Sequence, residues 1–235
     1  MSKKYDTLVF IGRFQPVHNA HIEIIRRATH LAKQVVIIIG SANQPRTYKN
    51  PFTWQERASM LSCVYGASAV AGKDVSIRIE GNSDTIYNDQ AWAARVQAIV
   101  GKYAQPADKI GIIGHEKDES SFYLRMFPQW ESEMVEELDP LNASDIRDLY
   151  FKWSFNSSYI KNVVPEATYS FLMSFRSTLD FAQIVREREF VEEYKRAYAS
   201  LPYPPIFVTT DAVVLCSGHV LMIKRRAEPG KGLWA

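Results

Sequence analysis

The sequence predicts a doubly wound α/β domain built on a parallel sheet, followed by a linker and the first strands of an incomplete second unit. Three observations carry that expectation. Short apolar runs rich in β-branched residues recur along the first half of the chain, as in strands buried on both faces. Segments with helical spacing separate them, which is the βαβ alternation that gives parallel sheets and right-handed crossovers. The alternation then stops at a Pro-rich stretch, Leu201-Pro202-Tyr203-Pro204-Pro205, a linker by composition.

Taken in order, residues 7–11 (TLVFI) read as the first buried strand. Residues 22–33 place Ile22, Ile25, Thr29 and Ala32 on one face with Arg26, Arg27 and Lys33 between them, which predicts a helix. Residues 35–39 (VVIII) are a second buried strand. Thr53-Trp54-Gln55-Glu56 has the form of a capping box and starts a helix running to Tyr65. A strand over 75–79, a helix over 89–103 and a strand over 109–113 follow, with Gly114 at the end of the last. A further strand is expected over 133–138, a short helix over 144–151 and another over 165–175. Residues 181–200 are charged and helical and read as a solvated connector. Residues 206–215 and 219–224 read as two strands around Ser217-Gly218. The domain organisation predicted is therefore 1–180, a linker over 181–205, and a fragment over 206–235 too short to close its own core.

Composition excludes several classes. Hydrophobic residues are 46% of the 235 and charged residues 23%, an ordinary globular balance. A net charge of +2 gives no argument for a nucleic-acid partner. The two cysteines, Cys63 and Cys216, form no metal spacing or disulfide framework and read as small hydrophobes of a reducing compartment. No apolar stretch approaches the ~18 residues of a membrane span, and the start lacks a signal-peptide core. A cytoplasmic protein is expected; its oligomeric state is left open.

The most informative stretch is Gly12-Arg13-Phe14-Gln15-Pro16-Val17-His18-Asn19-Ala20-His21, where the first strand gives way to the first helix. Open α/β sheets bind ligands at the carboxyl ends of their strands. A helix N-terminus favours phosphate. His18 and His21, three apart, can face one anion from the first turn, and Arg13 adds a permanent cation. A zinc site would need a third ligand, which no nearby residue supplies.

This stretch resembles the GRFxPxHxGH signature of the HxGH nucleotidyltransferase superfamily, with Ala20 where that signature has Gly. The resemblance implies a Rossmann-like fold in which the histidines bind ATP phosphates and stabilise charge on the α-phosphate. Gly40-Ser41-Ala42-Asn43 and residues 49–57 (KNPFTWQER) resemble segments of the nicotinamide mononucleotide (NMN) adenylyltransferase branch. In that likeness Lys49 would bind phosphate; Arg57 is open between such a role and a helix-surface charge. Residues 83–92 (SDTIYNDQAW) resemble the nicotinamide-recognition segment, in which Trp92 would stack on the pyridinium and Asp84 or Asn88 would pair with the carboxamide. Trp92 as plain core is the alternative. Residues 141–147 (LNASDIR) resemble ISxTxIR. They place Ser144 as an N-cap, Ile146 beside ATP, and Arg147 on the β- or γ-phosphate. Gly114-His115-Glu116-Lys117-Asp118 resembles the GHxKD segment of bifunctional members, and Gly114, Lys117 and Asp118 are expected on ATP.

The implied ATP set is Gly12, Arg13, Phe14, Gln15, His18, His21, Gly114, Lys117, Asp118, Ser144, Ile146 and Arg147. His18, His21, Arg13 and Arg147 are the catalytic group. The implied NMN set is Gly40, Ser41, Asn43, Lys49, Asp84, Asn88 and Trp92. The reaction implied makes NAD and pyrophosphate from NMN and ATP, with Mg2+ held mainly by the ATP phosphates and no protein metal ligand. Residues 203–235 resemble the opening of a Nudix hydrolase domain, as fused to this transferase in bifunctional proteins, and the glutamate-rich Nudix box does not occur among these 235 residues. An ADP-ribose pyrophosphatase activity is thus expected of a longer parent and not of this chain. Competing readings are an FMN or pantetheine-phosphate adenylyltransferase, which would not require the Asp84 to Trp92 segment, and a non-catalytic nucleotide sensor.

Overall fold

The computed structural model of the chain describes residues 3–65, 75–115, 123–135, 142–152, 155–210 and 212–235. Five parallel strands form the central sheet: β1 (Tyr5–Gly12), β2 (Ala32–Ile39), β3 (Ser76–Gly81), β4 (Ile110–Gly114) and β5 (Glu131–Met134). Their order is β3-β2-β1-β4-β5. The chain moves outward from β1 to β3, crosses back, and restarts beside β1, so the ends of β1 and β4 flank the switch point where α/β sheets bind ligands.

Alternation along the strands builds two cores. Leu8 and Phe10 of β1 and Val35, Ile37 and Ile39 of β2 face one cluster, with Ile25 and Ala28 of α1 (Asn19–Leu31) and Met60 and Leu61 of α2 (Trp54–Tyr65). Val9, Ile11, Val36 and Ile38 face the other, against Val96 and Val100 of α3 (Asp89–Gly101) and Phe127 and Trp130. The first face is completed by α4 (Ala143–Tyr150), α5 (Ser157–Val163), α6 (Glu166–Phe175) and the first turns of α7 (Leu179–Tyr198), joined by aromatic ring contacts, mostly edge-to-face, among Phe52, Tyr150, Phe175 and Phe181.

Several expectations need correction. The first helix stops at Leu31 because Ala32 turns extended and pairs with Tyr5 as the start of β2. The fifth strand is Glu131–Met134, two residues earlier than expected; residues 136–138 lie outside the described set. Lys4 and Lys109 pair with Glu131, and Lys4 and Arg27 with Glu133, so its charged residues suit a sheet edge. The connector α7 is not a solvated spacer: Phe181, Ile184, Val185, Glu187 and Arg188 are buried against the domain, and its second half contributes no buried residue. Helix α5 has no sequence signature in its period, because seven residues are too few; its signal is Asn156, whose side chain accepts from the Ser158 and Tyr159 amides. The expected hairpin shrinks to β6 (Leu215–Cys216) and β7 (His219–Val220). None of the described residues in 206–235 is buried, so no partner face extends those strands. Cys63 and Cys216 are both exposed.

Candidate active site

The loop after β1 is held from three sides. A Cβ on Gly12 would lie 3.0 Å from the Phe14 ring, so glycine is what lets that ring fold back against the strand. Phe14 has a left-handed backbone (φ 53°), and its buried ring packs edge-on to Phe10. The Gln15 side chain donates to the Phe52 carbonyl at 2.9 Å and accepts from the Phe52 amide at 3.0 Å. Its amide is thereby committed to tying the first loop to the segment before α2.

His18 and His21 meet at the N-terminus of α1. His18 has extended backbone and caps the helix. Its amide donates to His21 Nδ1 at 3.2 Å, and the two ring centroids are 3.7 Å apart. His21 also packs 4.7 Å from the Phe14 ring. Burial, and then the nearby His18, hold its imidazole well below the usual histidine range. A neutral ring accepting at Nδ1 carries its proton on Nε2, so His21 is a ready neutral donor. Ala20 lies within the first turn and has no left-handed backbone, so the signature glycine is not needed there for conformation.

Arg147 approaches the same loop from α4. Its Nη1 donates to the Gln15 carbonyl at 2.7 Å and Nη2 to Ser144 Oγ at 3.0 Å, while Nε is buried without a hydrogen-bond partner. None of its bonds is to a carboxylate among the described residues. Burial, with exposed Arg13 nearby, lowers its pKa to about 10, which still leaves it charged at neutral pH. The N-cap of α4 is Asn142, not Ser144: Asn142 accepts from the Ser144 and Asp145 amides, and Asp145 accepts from the Asn142 amide. The reciprocal box outcompetes a serine two residues later, which becomes a partner for Arg147. Ile146 is fully buried in the core and can offer ligand only its backbone.

The loops after β2 and β3 are stitched together. Ala42 N–H donates to the Asn82 carbonyl, Asn43 Oδ1 accepts from the Asp84 amide, and Gln44 donates to the Asp84 carboxylate. Ser41 is buried in left-handed conformation beside Gly40. Asn88 caps α3 by accepting from the Ala91 amide, and Trp92 lies on its first turn, half-buried, with Tyr123 and Phe127 at 6.4 and 6.3 Å. Lys49 is exposed in a turn closed by Thr47 and Asn50. Gly114 ends β4, and His115 Nδ1 lies 3.0 Å from the Val135 carbonyl; Lys117 and Asp118 lie outside the described residues.

Three residues outside the predicted sets shape this edge. Arg57 is buried rather than on the helix surface. Arg46 pairs with Glu56 and Asp180 and donates to the Pro51 carbonyl, anchoring the Lys49 turn. Asn82 is buried with its Nδ2 lacking a partner. Their partners lie far away in the sequence or across the sheet edge, so their roles are visible only in the fold. No group of three His, Cys, Asp or Glu that could hold a metal occurs among the described residues. The donors gathered here are cations and amides, which suit phosphate.

Residues 9–211 match the cytidylyltransferase-like family. The chain is 37% identical over 183 residues to the nicotinamide/nicotinic acid mononucleotide adenylyltransferase of Acinetobacter baylyi, covering 77% of this chain and 92% of that protein. It is 38% identical over 96 residues to the nicotinamide-nucleotide adenylyltransferase of Thermococcus sibiricus, covering 40% of this chain and half of that one. Among solved structures, the bifunctional NMN adenylyltransferase/ADP ribose pyrophosphatase of Francisella tularensis, complexed with AMP and a manganese ion, superposes with a TM-score of 0.87 at 35% identity. That match covers 98% of this chain and 66% of the Francisella chain.

Proposed function

The chain belongs to the cytidylyltransferase-like family, and from that premise we infer that it is a nicotinamide-nucleotide adenylyltransferase, making NAD and pyrophosphate from NMN and ATP. The observation that carries the reading is the convergence of the His18–His21 pair and carboxylate-free Arg147 on one loop at the switch point of the sheet. The buried charge of Arg147 is costly without an opposite charge, and with the neutral donor His21 beside it the cluster is suited to a polyphosphate.

In the reaction, a 5′-phosphate oxygen of NMN attacks the α-phosphorus of ATP, and the bond to the bridging oxygen breaks to release pyrophosphate. No protein nucleophile is needed, so the work of the site is alignment and charge stabilisation. Neutral His21 donates from Nε2 to the α-phosphoryl oxygens as negative charge grows there, and His18 lies against it on the same turn. Arg147 and Arg13 hold the departing β- and γ-phosphates. Gly40, Ser41, Asn43 and Lys49 form the mononucleotide side, with Asp84, Asn88 and Trp92 around the base. A divalent cation, Mg2+ in this proposal, would be held mainly by the phosphates and would neutralise the leaving pyrophosphate.

Residues 1–180 are read as the catalytic body, with the buried first turns of α7 packed on it, and 206–235 as the opening of a hydrolase-type unit. The bifunctional Francisella relative supports this division. No helix among the described residues is long and apolar enough to cross a membrane, and a cytoplasmic setting fits the substrates proposed.

Label tests the chemistry. ATP labelled at its α-phosphate should transfer that label to NAD, while label at the β- or γ-position should leave as pyrophosphate. Release of the α-label as AMP without NAD would refute the reading.

A further inference from the structure

Arg57 takes no part in the chemistry above, yet among the described residues it heads the fully buried side chains by size and is 1% exposed. Four hydrogen bonds hold it. Nη1 donates to the Arg13 carbonyl at 2.7 Å and the Gly40 carbonyl at 2.8 Å; Nη2 donates to the Ser41 carbonyl and Nε to the Thr53 carbonyl, both at 3.1 Å. None of the four is to a carboxylate. Burying a guanidinium without an opposite charge in contact carries a large desolvation cost. Burial accordingly lowers its pKa to about 10, a shift opposed by the more distant Asp84 and Glu56 and reinforced by Arg13.

Where the bonds go shows what the cost supports. Arg13 is the first residue after β1, and Gly40 and Ser41 are the first two after β2. One guanidinium therefore spans the ends of two adjacent strands, beside the Gly40 N–H that donates to the Gly12 carbonyl at 2.9 Å. In a planar trans peptide the N–H points opposite to its C=O. Holding the Arg13 and Gly40 carbonyls inward thus turns the Phe14 and Ser41 N–H groups away from the guanidinium. A neutral amide could bond one or two of these carbonyls without the desolvation penalty. Only the forked cation reaches all of them and leaves positive charge beneath the loop that carries Arg13.

We propose that Arg57 is a positioning residue for adenylyl transfer: it locks the loops after β1 and β2 in one geometry through three carbonyls, and its unneutralised charge adds to the attraction for the two phosphate-bearing substrates. The inference rests on the adenylyltransferase reading. Arg57→Lys keeps the charge and loses the fork; Arg57→Gln keeps some bonding and loses the charge. Both variants are assayed well below their melting temperatures, with kcat and both KM values measured. A misplacement of about 1 Å at a reacting centre can cost ~10² in rate, so both should lose kcat by about that factor. KM for ATP should rise in Arg57→Gln and stay within roughly threefold of wild type in Arg57→Lys. The inference is overturned if folded Arg57→Lys keeps kcat within about twofold of wild type, or if both variants lose only melting temperature. Failure of both variants to fold also contradicts it, since the residue would then support the whole fold and not the site. A wild-type chain inactive with NMN refutes NMN as the substrate and this inference with it; an active wild type matched by Arg57→Lys refutes the inference alone.

Discussion

His21 concentrates the physics of the site in one side chain. Its Nδ1 accepts the His18 amide, its ring is wedged against Phe14, and burial keeps it neutral. His21→Ala should therefore lower kcat by ~10²–10³ while ATP affinity falls much less, as for removal of a donor that acts on transition-state charge. Collapse of ATP binding with kcat retained would make His21 a ground-state ligand. The depressed pKa also fixes a sign for stability. Below about pH 6.5 the unfolded chain takes up a proton on this histidine that the folded chain refuses, so its contribution to stability falls as pH falls. Denaturant unfolding from pH 5 to 8 should show a shallower acid-side loss in His21→Ala than in wild type. Trp92 offers a second residue-scale test. The indole is half-buried, with the Tyr123 and Phe127 rings 6.4 and 6.3 Å from it. Trp92→Ala should raise KM for NMN several-fold, roughly the ~0.5–2 kcal/mol of a cation–π contact, and leave KM for ATP nearly unchanged. Equal rises in both would place the indole in the core.

Helix α4 brings Arg147 to the loop after β1, and its start is fixed by the reciprocal Asn142–Asp145 box. Asn142→Ala should cost about 1 kcal/mol of stability, as loss of a cap does. It should also weaken ATP binding through Arg147, whose partner Ser144 lies in the same first turn. Unchanged ATP affinity in a destabilised variant would separate the cap from the site. At this scale the sequence was informative where period and capping agree. The strands at β1 and β2 and the Thr53–Glu56 box at α2 stand as read, the latter with Thr53 N–H donating to Glu56 at 2.8 Å. What escaped was set by contacts distant in the chain. Arg57 has the sequence context of a surface helix residue and is buried only because two strand ends meet over it. Asn142 and Ser144 are both good caps, and only the fold decides between them. Arg46 gains its role from Asp180, 134 residues away, which the amphipathic first half of α7 brings near.

For the whole molecule, the order β3-β2-β1-β4-β5 puts every motif singled out in the described residues at one edge of one sheet. The loop after β1 carries the signature, the loops after β2 and β3 carry the segments proposed for the mononucleotide, and Gly114 ends β4. That shared edge is why local motifs add up to a site: loops at the carboxyl ends of parallel strands face the same crevice. The tail follows a different rule, with apolar side chains such as Val208, Leu215 and Trp234 exposed and no core of its own. The chemistry proposed for this edge is the joining of NMN to the AMP of ATP. The most direct test supplies the purified chain with ATP, Mg2+ and, in separate reactions, NMN, nicotinic acid mononucleotide, FMN and phosphopantetheine, and follows pyrophosphate and dinucleotide together. With NMN, pyrophosphate should be matched mole for mole by NAD, and neither FMN nor phosphopantetheine should release any. Pyrophosphate released only with FMN or phosphopantetheine would contradict that chemistry.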